Sequence, residues 1–333
     1  MTLNFGVIGA GDFGVLHLDI MKDMPDVNIK WICVRNLNNY RHMESEYGAK
    51  LTDNLDDVLK DESVNAVSIL TPEPLHYEQV LKSLEHGKDI LVEKPVTTDP
   101  IEAAELAAKV KETGRIVLPG HISRFNPSYA KVRSYLEETG QEPVSIHARR
   151  NIPRERLALH NRIHPVYMAL SHDIDLVLSY VNSTPVRVFG MERKTDPSLE
   201  NPDIFWGLVE FENGCIVALE NLWVLPTSSR YVDAVMEVAM VNEVVHVKYP
   251  GDSVWIDRKD GYIFPDPSLN EKINGEWSGA LKNQIEYFVK CVVNKRKPTV
   301  VTMDDALRGI TIAQALIKSA AEKRPIHFDK EIS

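Results

Sequence analysis

The chain has 333 residues, 44% of them hydrophobic and 26% charged, a composition that excludes disordered and fibrous classes and, at this length, points to more than one hydrophobic core. A formal charge of −10 without a basic tail excludes nucleic acid and an anionic membrane surface as main partners, because both need a concentrated positive face. A small-molecule partner is expected, and so is a cytoplasmic location, since no positively charged leader and no apolar stretch of about 18 residues occurs.

From the N-terminus, short apolar runs alternate with segments of helical spacing. Strands are expected at Phe5–Ile8, Ile29–Val34, Ala66–Leu70, Ile90–Val92 and Ile116–Leu118. This order implies an α/β Rossmann domain over residues 1–122, a doubly wound parallel sheet covered on both faces. One of its helices has clear bounds: Asp99 can cap, Pro100 takes the first helical position, and Gly114 follows the end.

The opening strand runs into Gly9, Gly11 and Gly14 in GxGxxG spacing, with Asp12 and Phe13 between them at the start of a helix. Gly9 allows a tight turn, Gly11 lets the backbone approach a pyrophosphate, and Gly14 lets helix and strand pack closely while the helix N-terminus faces the phosphates. A dinucleotide site is the expected meaning, an ordinary glycine-rich turn the alternative. In an NAD site an acid at the end of the second strand would hold the ribose hydroxyls. Here the strand ends in Val34, Arg35 and Asn36. Arg35 suits a 2′-phosphate that a carboxylate would repel, so NADP is favoured over NAD, unless Arg35 is merely an exposed turn residue.

Three further strand ends are polar: Thr71-Pro72 with His76, then Glu93-Lys94-Pro95, then the run from Gly120 to Pro127. Parallel open sheets bind ligands at such ends. Lys94 is the sharpest case, a charge placed where neither a core nor a helix would want it.

After residue 122 the rhythm changes to an α+β domain over 123–333 with a large, mostly antiparallel open sheet. A helical pattern covers His164–Val181, Asn213-Gly214 marks a hairpin, and the helical tail from Leu281 to Ala321 is able to pack back on the first domain. Between residues 147 and 164 stand Arg149, Arg150, Arg154, Arg156 and Arg162. Their forks suit a carboxylate or phosphate on the substrate, and Arg124 and Asn126, upstream in the Gly120–Pro127 run, are candidates to join them; a solvated loop or a subunit contact is the alternative. His160, His164 and His172 include a pair at i, i+4, but no HExxH pattern or nearby cysteine accompanies them, so no metal is expected. Cys33, Cys215 and Cys291 are widely spaced and read as core thiols of a reducing compartment.

Together the glycine loop, Thr71-Pro72 with His76, Glu93-Lys94-Pro95, His172-Asp173-Ile174-Asp175 and the strand from Glu220 to Pro226 resemble the glucose-fructose oxidoreductase, inositol dehydrogenase and MocA (Gfo/Idh/MocA) family of NAD(P)-dependent oxidoreductases. The run from Gly120 to Pro127 looks most like the branch containing UDP-N-acetylglucosamine 3-dehydrogenases. The resemblance implies hydride transfer between a nicotinamide and a ring hydroxyl or ketone of a sugar or sugar nucleotide. It implies that Thr71, Pro72, His76 and Glu93 border the cofactor, that Lys94 donates to the reacting oxygen before a cis Pro95, and that His172 moves the proton. Asp175, three residues on and on the same helical face, would orient the ring or the helix start, and is also a candidate substrate contact. It also implies self-association, as a dimer or tetramer, through the broad second sheet. One position departs from the family pattern: Met168 stands where many members have an aspartate, and a thioether neither accepts a proton nor holds a strong hydrogen bond. Two other readings therefore stand beside the dehydrogenase: a bound cofactor used catalytically for elimination or glycoside cleavage, and a dinucleotide-binding sensor without catalysis.

Overall fold

The computed structural model describes residues 2–157, 162–226, 232–251, 254, 256–259, 261–263 and 268–328. His160 lies outside them. Two compact units divide the chain, one from Met1–Phe125 with Lys272–Leu307 and the other from Asn126–Glu271 with Arg308–Ser333.

In the first unit six strands are all parallel: β1 (Leu3–Ile8), β2 (Val27–Cys33), β3 (Lys50–Thr52), β4 (Ala66–Ile69), β5 (Asp89–Glu93) and β6 (Val117–Gly120). Their order is β3-β2-β1-β4-β5-β6. The strand absent from the sequence expectation is β3, an edge of three residues of which only Thr52 is buried, too short and too polar to show a period. The central strands are apolar runs because both faces are covered; every residue of β4 is buried. Strand order reverses between β1, which pairs with β2 on one side, and β4 on the other, and this is where such sheets open a crevice at their carboxyl ends. The helix Pro100–Thr113 has the expected bounds: the Asp99 carboxylate accepts from the Ile101 amide at 2.8 Å, and Gly114 closes it at φ +65°. Helix Ala280–Val293 belongs to this unit and packs Phe288 edge-on against Phe5, ring centroids 6.0 Å apart.

The second unit holds a seven-stranded sheet. Its strands are β7 (Ser145–Asn151), β8 (Pro185–Arg193), β9 (Ile204–Phe211), β10 (Ile216–Leu222), β11 (Asp233–Ala239), β12 (Val244–Tyr249) and the short Ile326–His327, in the order β12-β11-β7-β10-β9-β8-Ile326–His327. Only β7 and β10 run parallel; the other pairs are antiparallel. The hairpin expected at Asn213-Gly214 joins β9 to β10, with Gly214 at φ +84°, a conformation that favours glycine. Alternation along β9 sends Phe205, Val209 and Phe211 inward and leaves Trp206 and Leu208 exposed. The helix expected over His164–Val181 is instead a wide π turn, Val166–Leu170, followed by the α-helix Ser171–Tyr180. Met168 packs there against Leu157, Ala169 and Trp223, so a thioether fills apolar space at that position. All three cysteines are buried and free, and no described helix is long and apolar enough to cross a membrane.

Candidate active site

The glycine loop behaves as its spacing requires. Gly9 sits at φ +99°, where a Cβ would lie 2.8 Å from the Leu70 backbone, and a Cβ on Gly14 would lie 2.5 Å from the Gly9 carbonyl oxygen. At Gly11 a Cβ would meet nothing within 4 Å, so the open side of the loop faces free space at the N-terminus of α1 (Asp12–Lys22). That combination, closed at two glycines and open at the third, fits a dinucleotide whose pyrophosphate approaches the backbone. Asp12 is exposed in the first turn, and the Phe13 ring meets His17 edge-on at 5.1 Å. His17, fully buried beneath the loop, is pushed down to about 3 by desolvation and is a neutral core residue. Arg35 and Asn36 lie exposed just past β2; the Asn36 side chain accepts from the Asn38 amide at 3.2 Å and caps the short helix Leu37–Tyr40.

On the other side of β1, β4 and β5 end in the motifs around Thr71 and Lys94. The His76 ring, 1% exposed, places Nε2 2.7 Å from the Thr71 carbonyl and Nδ1 2.8 Å from the Pro95 carbonyl. Burial draws its pKa below the ordinary imidazole value, against the pull of those two carbonyls, with the Lys94 charge adding to the decrease. Both ring nitrogens thus face backbone carbonyls at two strand ends, and the neutral ring donates its one N–H to one of them. Pro72 is exposed and starts the turn Glu73–Leu75, while the Thr71 hydroxyl donates to Gln79 at 2.6 Å. The Lys94–Pro95 bond is cis.

Glu93, the last residue of β5, accepts from the Lys94 amide at 3.3 Å through one carboxyl oxygen, and its other oxygen has no hydrogen-bond partner among the described residues. Its paired neighbour on β6 is Gly120, where a Cβ would stand 2.6 Å from that second oxygen; only glycine leaves the carboxyl room. Desolvation pushes the Glu93 pKa up to about 7, although the Lys94 charge pulls it down. Because the native state holds this proton more tightly than the unfolded chain, stability falls as pH rises from the ordinary carboxyl range through 7, by up to about 3 kcal/mol. Glu93→Gln should remove that slope and raise the melting temperature above pH 7, which thermal unfolding across pH 5 to 9 would measure. An unchanged slope would show that Glu93 titrates normally.

In the second unit His172, half-buried, is the second residue of the helix Ser171–Tyr180, followed by the buried Asp173 and Asp175. The expected arginine patch is split. Strand alternation turns Arg149 to the outer face, 3.3 Å from Asp233, and Arg150 inward, where Nε and Nη2 meet the two Asp173 oxygens at 2.8 and 3.0 Å. Arg150 is therefore the bidentate partner of a buried carboxylate. Arg154 is exposed and Arg156 half-buried in the turn after β7, and Arg162 is exposed. Asn126 caps the helix Pro127–Thr139 through the Ser128 amide at 3.0 Å and donates to the Ser268 hydroxyl at 2.9 Å. Arg124, in the first unit, is 7% exposed and donates to the Val300 carbonyl at 2.8 Å, with Asp305 at 3.5 Å. Both polar side chains make bonds within their own unit. His164 accepts from the Val166 amide at 3.2 Å and meets Glu192 at 3.1 Å, as a helix-start residue does.

Comparison with known proteins decides the family. Residues 3–121 match the model of the Gfo/Idh/MocA NAD-binding Rossmann fold, and residues 163–328 match the model of the family's C-terminal alpha/beta domain. The chain belongs to the Gfo/Idh/MocA oxidoreductase family. Scyllo-inositol 2-dehydrogenase (NAD(+)) of Bacillus subtilis (strain 168) is 25% identical over 97% of this chain and 95% of its own. UDP-N-acetylglucosamine 3-dehydrogenase of Acidithiobacillus ferrooxidans is 26% identical over 74% of this chain and 77% of its own. Among solved structures, myo-inositol 2-dehydrogenase of Lactobacillus plantarum superposes with a TM-score of 0.85 at 19% identity, covering 99% of this chain and 100% of that one, a likeness of fold. As a Gfo/Idh/MocA member the chain is an oxidoreductase whose Rossmann domain carries the NAD-binding loop just described.

Proposed function

We propose that this oxidoreductase transfers hydride between a nicotinamide and a ring hydroxyl or ketone of a sugar or sugar nucleotide. The observation that carries the reading is the placement of Lys94 directly after β5, at the same carboxyl end of the sheet as the open glycine loop. The nicotinamide supplies a carbon that accepts or returns hydride. The backbone of the Gly9–Gly14 loop, with the amides of Asp12 and Phe13 at the start of α1, holds the dinucleotide phosphates, and Thr71, Pro72 and Glu93 border the cofactor. The Lys94 ammonium donates to the oxygen that gains negative charge as the carbon changes oxidation state. His172 takes the hydroxyl proton in oxidation and returns it in reduction. Asp175 supports the helix face that carries it. The names of the relatives, an inositol dehydrogenase and a sugar-nucleotide dehydrogenase, support a polyhydroxylated ring as substrate.

The test is a screen of UDP-sugars, free hexoses, inositols and uronic acids with NAD and NADP, following absorbance of the reduced nicotinamide. Stoichiometric reduction supports the reading. Turnover without net reduction would replace it with cofactor-assisted elimination, and cofactor binding without turnover would make the protein a sensor.

NADP is the cofactor we favour, because Arg35 stands exposed past β2 and no acid follows that strand directly. Arg35→Asp should shift preference toward NAD by roughly 10- to 100-fold, the worth of one charge-assisted hydrogen bond; kcat/KM measured with each cofactor reads it. We assign a second copy of the chain to the outer face of the second sheet, where Met191, Trp206, Leu208 and Ile216 are 61%, 44%, 49% and 53% exposed. Light scattering should then show a dimer or tetramer, and Trp206→Glu should give monomers. Three buried free thiols fit a reducing compartment, and we place the protein in the cytoplasm.

A further inference from the structure

We infer that Arg150 is a positioning residue for His172, acting through Asp173, and that the strand end from Glu220 to Trp223 holds Arg150 in place. The inference rests on the reading of His172 as the proton carrier.

The Arg150 guanidinium, on β7, forms two parallel bonds to Asp173 at 2.8 and 3.0 Å, with the residues 7% and 1% exposed. A fork of this kind sets the plane and direction of the carboxylate as well as its distance, which a point charge would not. Asp173 follows His172 directly and lies in the first turn of the helix Ser171–Tyr180. The turn before it is the π segment Val166–Leu170, so the helix start does not inherit a regular α register from upstream. The fork supplies what that entry lacks: it sets the rotation of the turn that carries the imidazole.

Arg150 is itself held. Its carbonyl accepts from the Asn221 side chain, whose oxygen accepts from the Trp223 indole at 2.7 Å. Next along β7, the Asn151 amide donates to Glu220 at 2.7 Å and accepts from the Leu222 backbone amide at 2.9 Å. Asn221 and Trp223 are 0% and 2% exposed, so no solvent competes for these bonds. The polar residues of the Glu220–Trp223 segment thus have a use: they lock the end of β7, and β7 aims the fork.

The experiment compares wild type with Arg150→Lys, with the double variant Arg150→Met and Asp173→Leu, and with His172→Asn. The double variant removes the charges as a pair and refills the space with apolar side chains, which keeps the fold when a single change would leave a buried charge alone. Arg150→Lys should lower kcat about tenfold or more, with KM for the sugar and the cofactor within about twofold. The double variant should melt near the wild type and share that loss of kcat. Amide hydrogen exchange over residues 171–174 should quicken in both. A raised KM at unchanged kcat would overturn the inference by showing that Arg150 touches substrate, and wild-type kcat in the double variant would overturn it by making the pair purely structural. Unchanged exchange over residues 171–174 would overturn it even if no substrate were found. Wild-type turnover in His172→Asn would instead overturn the proton-carrier reading, and that arm does not involve Arg150.

Discussion

Lys94→Ala should reduce kcat by about 100- to 1000-fold, the usual consequence of removing one donor aimed at a developing oxyanion. The loss should fall on kcat and kcat/KM together, because the interaction strengthens only as charge appears on the reacting oxygen. Dinucleotide affinity should change by no more than a few-fold, since the glycine loop that takes the phosphates lies on β1 and α1, two strands from β5. Fluorescence of bound reduced nicotinamide would measure that affinity beside steady-state rates. A second signature follows from Glu93. The Lys94 charge is what opposes the rise of the Glu93 pKa, so removing it should move the carboxyl above 7 and shift the stability slope to higher pH. If Lys94→Ala kept wild-type turnover, the oxygen would be polarised by another group and the proposed roles would be wrong.

His172→Asn should cost about 100- to 10,000-fold in kcat/KM for oxidation, the range expected for a general base. It should also alter the shape of the pH profile. Wild-type oxidation should fall on the acid side, where a protonated imidazole cannot accept the hydroxyl proton, and the variant should lose that limb. Sugar reduction should show the opposite dependence, because it needs the protonated ring. Met168 bears on the size of the effect: packed in its apolar cluster with Leu157 and Trp223, it supplies no carboxylate to share the proton. A profile with the same acid limb in both proteins would assign the limb to another group.

The parts of this molecule legible in its sequence are those where the backbone itself imposes a residue. A positive φ at Gly9, the close approach at Gly14 and the turn at Gly214 each leave a local mark, and so do the cap Asp99 and the apolar runs of β1, β4 and β5. What could not be read were pairings over distance. Nothing near Arg150 announces Asp173, 23 residues on, and nothing near His76 announces the Pro95 carbonyl. Gly120 drew attention only as part of a motif, and its use appears only once β6 lies beside Glu93. One signal was present and unused. Ile146 and Ala148 alternate with His147 along β7, and continuing that period of two sends Arg150 inward and Arg149 outward, which divides the arginine run into two environments.

That division has a consequence for folding. A slip of β7 by one residue against β10 and β11 would carry Arg149 into the interior and Arg150 to the surface. Arg150 would then abandon Asp173, and Arg149 would leave Asp233. Asn151 would also be drawn away from Glu220 and from the Leu222 amide. Two adjacent residues of one chemistry, each answered by a carboxylate on the opposite side of the sheet, act as a lock on strand register: a mispaired sheet loses both partners in a single step, and only one alignment satisfies them together.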